Sequence, residues 1–170
     1  MSVLRAPRAA KRSSKAVSRS TRTSRSAKKA ATRVLLPVDG SEGSHRAVAH
    51  LIDSLSRLQP LEVRLLNVQT PIPLLERWGL TRRDIFRQQQ QEGGKALRTA
   101  RSRLDRAGIQ YEYSVAVGPV AETIVKYAKR WQCDSILIGT RGLGLTAGLV
   151  LGSVALKVIH LAKIPVTLVN

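Results

Sequence analysis

Ser135-Ile136-Leu137-Ile138-Gly139-Thr140-Arg141-Gly142, followed after nine intervening residues by Gly152-Ser153, is the stretch whose reading decides the fold. The apolar run Ser135–Ile138 reads as a buried strand, and the glycines after it read as a loop. A helical pattern then starts near Ser153 and carries Val154, Leu156, Val158, Ile159 and Leu161. A strand, a glycine loop and a helix start make a plausible phosphate cradle. The helix offers unpaired N–H groups and the positive end of its dipole. Glycines let the backbone come close to an anion.

Working outward, the same alternation repeats. Further strands are expected at Arg33–Val38, Leu61–Val68, Ile109–Val117 and Ile164–Val169, which with Ser135–Gly139 makes five. The first is followed by a turn, Asp39-Gly40-Ser41, with Ser41 the candidate N-cap and Ser44 the alternative. That helix turns Ala47, Val48, Leu51, Ile52, Leu55 and Leu58 inward and ends by Pro60. Residues 71–80 hold Pro71, Pro73, Trp78 and Gly79 and read as irregular, with Trp78 a packing or interface residue. Thr81 to Ala107 reads as one long helix with Ile85, Phe86, Leu97, Ala100 and Leu104 as its apolar positions. Gly93-Gly94 implies a kink, close packing or a break in it, because each glycine costs about 1 kcal/mol relative to alanine. Gly108 suits a C-terminal cap. Pro119 suits the first position of the next helix, whose inward face is Val120, Ile124, Tyr127, Ala128 and Trp131.

Five short apolar strands separated by helical connectors predict an α/β fold with an open, largely parallel sheet. In such sheets ligands sit outside the carboxyl ends of the strands, where strand order reverses. The two loops of unusual composition, Val38–Ser41 and 139–153, both follow strand ends. They face one crevice if the first and fourth strands are neighbours.

Charge divides the chain. Of 29 Lys and Arg against 11 Asp and Glu, ten basic residues and no acid fall in residues 1–32. That segment has almost nothing to bury, so it is expected to be a disordered basic tail ahead of a folded domain at 33–170. Its cations, from Arg5 through Arg8, Arg12, Lys15, Arg19, Arg22 and Arg25 to Lys29, recur every three or four residues. Those from Arg5 to Arg22 would share one broad helical face. A solvated tail, a nucleic-acid or other polyanion contact through residues 5–29, and an organelle transit peptide all fit this composition. No aromatics interleave the charges, so base stacking is unsupported. The lone cysteine, Cys133, excludes an internal disulfide and a cysteine zinc cluster and reads as a small core residue. No apolar run approaches the roughly 20 residues of a membrane span. There is no secretory h-region either, so a soluble, cytoplasmic protein is expected.

The glycine spacing is neither a P-loop nor a dinucleotide fingerprint: there is no Gly-Lys-Ser/Thr, and Gly142-Leu-Gly144 lacks the third glycine. The loop must act mainly through backbone N–H groups and the Ser153 hydroxyl. Asp39, on the opposite wall, is suited to ribose hydroxyls or to a metal carried by phosphates. Singly, Asp39-Gly40 is a tight turn and Ser153 an N-cap. Together on one crevice they favour a nucleotide.

Val38-Asp39-Gly40-Ser41, the Ile138-Gly139 strand end and the whole spacing Gly139-x2-Gly142-x9-Gly152-Ser153 resemble the universal stress protein family, over about residues 33–170. The resemblance implies a five-stranded parallel sheet in the order 3-2-1-4-5 with helices on both faces. It implies a homodimer joined through the last strand, Ile164–Val169. The full glycine pattern is that of the family's ATP-binding branch, which implies ATP or a related adenine nucleotide, with Mg2+ only as companion of the phosphates. By position, Pro37, Val38 and Asp39 would meet adenine and ribose, and Val68 would meet adenine. Gly139, Gly142, Gly152, Ser153 and Val154 would hold ribose and phosphates. Arg141, inside the loop, is placed to reach phosphate. The basic tail is a departure that the resemblance does not cover.

Three functions compete. The first is a nucleotide-binding stress or regulatory protein without efficient catalysis. The second is a slow ATP-hydrolysing or phosphotransfer enzyme, for which only Asp39 and Ser153 can be nominated. The third is a polyanion-binding protein acting through the tail. His45, His50 and His160 fall on expected helices with no orienting partner placed by sequence, so no catalytic residue is assigned.

Overall fold

The computed structural model describes residues 4–5, 31–55, 60–71, 81–140 and 151–170. Trp78, Leu58, Arg141 and Gly142 therefore lie outside the described residues, as does nearly all of the tail.

The expected alternation is present. Strands β2 (Thr32–Pro37), β3 (Leu61–Gln69), β4 (Tyr111–Val117), β5 (Ser135–Gly139) and β6 (Val166–Val169) are all parallel and lie side by side as β4-β3-β2-β5-β6. Counting these five in chain order gives 3-2-1-4-5. A further two-residue strand, β1 (Leu4–Arg5), runs antiparallel on the outer edge of β4, with Leu4 opposite Tyr113 and Arg5 opposite Glu112. Sequence gave no signal for it, since two residues carry no periodicity.

Helix α1 (Glu42–His50) follows β2 and continues as a π-helical turn, Leu51–Leu55. Helix α2 (Arg82–Arg106) connects β3 to β4, α3 (Val120–Arg130) connects β4 to β5, and α4 (Ser153–Leu161) precedes β6. The central strands are buried on both faces, which is why their sequences run apolar without alternating. Val34, Leu36, Val63 and Leu65 pack with Leu51, Leu97 and Leu104 beneath α1 and α2. Leu35, Leu66, Ile136 and Ile138 pack with Ile124, Tyr127 and Val158 beneath α3 and α4. Neighbours along one strand thus belong to different cores. Truncating any of these leucines to alanine costs about 2–5 kcal/mol.

The helix ends largely follow their capping signals. Ser41 Oγ accepts the Ser44 N–H, and Thr81 Oγ1 accepts the Asp84 N–H. At the end of α2, Gly108 sits at φ +67, with Gly108 N–H donating to Asp105 O and Ile109 N–H to Leu104 O. Those two bonds make a Schellman cap. The Gly93-Gly94 pair neither kinks nor breaks α2. Gly93 is there for close packing: a Cβ on it would lie 2.3 Å from Val115 Cγ1 and 2.8 Å from Asn67 Oδ1.

Some local expectations are corrected. Pro119 is the N-cap of α3, not its first helical residue. The third and last strands begin at Tyr111 and Val166, two residues later than expected at each. Phe86 is 55% exposed, because it lies beside the inward stripe begun by Ile85. On α4 only Ala155 and Val158 are buried, while Val154, Leu156 and Ile159 face outward. Cys133 is a core residue as expected. Burial among apolar neighbours pushes its thiol up to about 11.

Candidate functional site

The sheet order brings the two marked loops together. β2 pairs directly with β5, so Val38–Ser41 and the chain after Gly139 leave adjacent strands at the same carboxyl end. Between them lies a cavity of about 320 Å3. Pro37, Val38, Asp39, Val68, Gly139, Gly152, Ser153 and Val154 all line it, so eight of the ten residues singled out from sequence meet at one place.

The first wall is fixed by hydrogen bonds. Val38 N–H donates to Leu66 O at 2.9 Å, and the buried Asn67 amide donates to Val38 O at 2.8 Å. Asp39 Oδ1 accepts the Ser41 N–H at 2.9 Å, while Gly40 takes φ +85. This is the tight turn that Asp-Gly favours, and it leaves Asp39 Oδ2 without a partner among the described residues. One carboxylate oxygen therefore orders the turn and the other is available to the cavity. Ser44 Oγ donates to Ser41 O, so the short hydroxyls of α1 are used to hold its first turn.

The second wall is the junction of β5 with α4. Thr140 N–H donates to Val169 O, and Gly152 N–H donates to Thr140 O at 2.7 Å. Thr140 Oγ1 also donates to Asn170 Oδ1 at 3.2 Å. Thr140 thus ties together the two ends of the glycine segment and the end of β6. This differs from the sequence expectation in two respects. Gly152 is the N-cap of α4, so Ser153 is its exposed first residue and not the cap. The Gly152 N–H is committed to Thr140, which leaves the N–H groups of Ser153, Val154 and Ala155 as the open first turn. Gly139 lines the cavity but also has a packing duty. A Cβ there would lie 2.4 Å from the carbonyl carbon and oxygen of Gly43 in α1.

Sequence reasoning missed the residues that complete the lining. Leu66, Val120, Ile124 and Ile138 make it apolar, and Ser41, Ser44 and Thr140 add hydroxyls. Ile124 and Ile138 had been read only as core positions. The signal available was their location at strand or helix ends near the carboxyl edge. None of His45, His50 and His160 lines the cavity, and no cluster of three or more His, Cys, Asp or Glu able to hold a metal occurs among the described residues. No described helix is long and apolar enough to cross a membrane.

A match to the universal stress protein family model spans residues 30–170. The chain belongs to the universal stress protein family. The universal stress protein MJ0531 of Methanocaldococcus jannaschii is 29% identical over 143 residues, covering 81% of both chains. Among solved structures, hypothetical protein MJ0577, whose biochemical function was assigned from its structure, superposes with a TM-score of 0.71 at 27% identity, covering 81% of this chain and 94% of that one. A universal stress protein solved in complex with cAMP superposes with a TM-score of 0.59 at 27% identity, covering 82% and 97%. In these comparisons the universal stress protein fold accounts for the parallel sheet and leaves the basic tail ahead of residue 30 outside the family match.

Proposed function

We propose that this chain is an adenine-nucleotide-binding stress or regulatory protein of the ATP-binding branch, without efficient catalysis. The observation that carries the reading is the single cavity that collects Val38, Asp39, Val68, Gly139 and the first turn of α4. The complex of a relative with cAMP supports the adenine class. The residues present suit such a ligand. Val38, Leu66, Val68 and Ile138 give an apolar wall for adenine, and Asp39 Oδ2 is an acceptor for ribose hydroxyls. The N–H groups of Ser153 and Val154, at the positive end of the α4 dipole, suit phosphate oxygens. Arg141 and Gly142 are assigned to the phosphates by position in sequence. Mg2+ would enter with the phosphates, with Asp39 as its nearest carboxylate in the lining.

Holding is favoured over cleaving because phosphoryl transfer needs a positioned base and charge stabilisation at the reacting phosphate. Among the described lining residues Asp39 is the only carboxylate, and half of it is engaged by Ser41. A homodimer through β6 belongs to the same reading. The apolar side chains of Leu156, Ile159 and Leu168, left exposed on α4 and β6, support it.

The test is calorimetric titration of the full chain with ATP, ADP, AMP and cAMP, alongside analysis of nucleotide that co-purifies. Saturable binding of at least one, weakened by Asp39→Ala, is expected. Absence of binding to all four at millimolar concentration overturns the proposal. ATP turnover with magnesium that disappears in Asp39→Ala would favour the enzymatic alternative.

A second reading rests on charge. Ten of the cations and none of the acids lie in residues 1–32, which suits a polyanion such as nucleic acid. Retention of DNA or RNA by the full chain, lost when residues 1–32 are removed and weakened steeply by salt, is the expected result. Salt-insensitive retention would count against it.

A further inference from the structure

A second and larger cavity, of about 530 Å3, lies at the opposite edge of the sheet, between α2 and α3 over the outer strand β4. Its walls are aromatic and apolar. Phe86 stands 55% exposed at its rim, and Tyr127 and Trp131 meet edge to face at 4.8 Å along the α3 side. Its ionisable lining is cationic only: Arg82, Lys126 and Arg130, with no Asp or Glu among the described lining residues. Lys126 has no carboxylate partner among the described residues, and the Arg130 guanidinium lies 5.9 Å over the Tyr127 ring.

These features select an occupant. The chain's own tail is excluded by charge, since residues 1–32 carry ten cations and no acid. A second copy of a chain with a net charge of +18 is disfavoured on the same ground. An added β-strand is disfavoured because the edge is already engaged. Leu4 and Arg5 pair with Tyr113 and Glu112, and the Gln90 amide donates to Val115 O at 3.2 Å. What remains is a pocket in the size range of small-molecule sites, with a greasy floor and a positive rim. We propose that it is a second ligand site, distinct from the β2–β5 cavity, for an amphipathic organic anion. The ligand's flat apolar body would lie against Phe86, Tyr127 and Trp131. Its carboxylate, sulfonate or phosphate would face Lys126 and Arg130. An exposed aromatic beside unneutralised cations is otherwise costly in solubility and gains nothing for the fold.

The test uses anilinonaphthalenesulfonate with the full chain, read by fluorescence, against phenylnaphthylamine, the same ring system without the sulfonate. Saturable binding of the sulfonate is expected, stronger than that of the neutral dye. The double variant Lys126→Glu/Arg130→Glu should weaken the sulfonate by about tenfold or more, from the loss and reversal of two partly exposed charges, and erase the preference. Phe86→Glu, at an exposed position that folding does not need, should weaken both dyes. Thermal unfolding checks that the variants fold. Equal binding of the two dyes, or sulfonate binding that survives both variants, overturns the proposal. So does binding that only Leu156→Lys removes, because the dye then sits on α4.

Discussion

Gly139 at the end of β5 and Gly43 in the first turn of α1 meet backbone to backbone, 96 residues apart in sequence, so closely that a Cβ on Gly139 would lie 2.4 Å from the Gly43 carbonyl. This contact seats the start of α1 against the end of β5. It therefore sets how the Val38–Ser41 turn stands relative to the chain that leaves Gly139. The same glycine lines the cavity and permits the approach that forms it. Gly139→Ala should destabilise the protein by about 1–3 kcal/mol or more, since backbone must shift to relieve the overlap. Urea denaturation measures the change, and an unaltered midpoint would show that the two elements separate freely.

The adjacent glycines of α2 should respond in opposite directions. A methyl on Gly93 runs into Val115 and Asn67, whereas one on Gly94 meets nothing within 4 Å. Gly94→Ala should stabilise by up to about 1 kcal/mol through helix propensity alone. Gly93→Ala should destabilise by about 1–3 kcal/mol through overpacking against β3 and β4. Thermal melts of the two single variants decide it; the same sign in both would reject the packing account.

Much of the fold was legible because its signals are local. Continuous apolar runs marked the strands, Ser41 and Gly108 marked helix ends, and the sheet order followed from the resemblance carried by Asp39 and the glycine spacing. The candidate site was legible to the extent that its residues sit at strand ends. What was not legible depends on pairs distant in sequence. Nothing in Gly93-Gly94 says which glycine faces Val115. Nothing in Thr140 says that its carbonyl will take the Gly152 N–H. Phe86 reads as core because Ile85 beside it is core, and a one-residue rotation of 100° separates them.

Asn67 is a buried polar residue with a defined duty. Its amide donates to Val38 O at 2.8 Å, and its Oδ1 accepts the Gln69 amide at 2.6 Å. Asn67→Ala leaves the Val38 carbonyl without that donor and should cost about 1–3 kcal/mol. Because Val38 and Asp39 form one wall of the cavity, adenine-nucleotide affinity should fall with stability. Unfolding and titration of the same variant test both. Loss of stability with affinity unchanged would detach Asn67 from the site.

Cys133 should be slow to react and should make stability depend on pH in one direction. Its thiol is raised from an ordinary 9.0 to about 11 by burial. Between those values the unfolded chain has released the proton and the folded chain has kept it. Stability is therefore full below about pH 9 and falls as pH rises toward 11, by at most about 1.4 kcal/mol per pH unit. Cys133→Ala should remove that part of the slope. Iodoacetamide should modify the native protein at pH 8 far more slowly than the urea-unfolded chain. Equal rates would place the thiol at the surface.

The last prediction concerns β6, which ends the sheet opposite β4. Its outer edge has no neighbour strand among the described residues, Leu168 is exposed on it, and Leu156 and Ile159 extend the apolar surface onto α4. An uncovered edge beside exposed aliphatic side chains favours pairing with a second copy. Leu168→Lys places a charge in that surface without touching the core, so monomer should replace dimer in sedimentation while the melting transition stays cooperative. Nucleotide binding should persist, because Leu168 does not line the β2–β5 cavity. A dimer that withstands Leu168→Lys together with Leu156→Lys would place the interface on another face of the sheet.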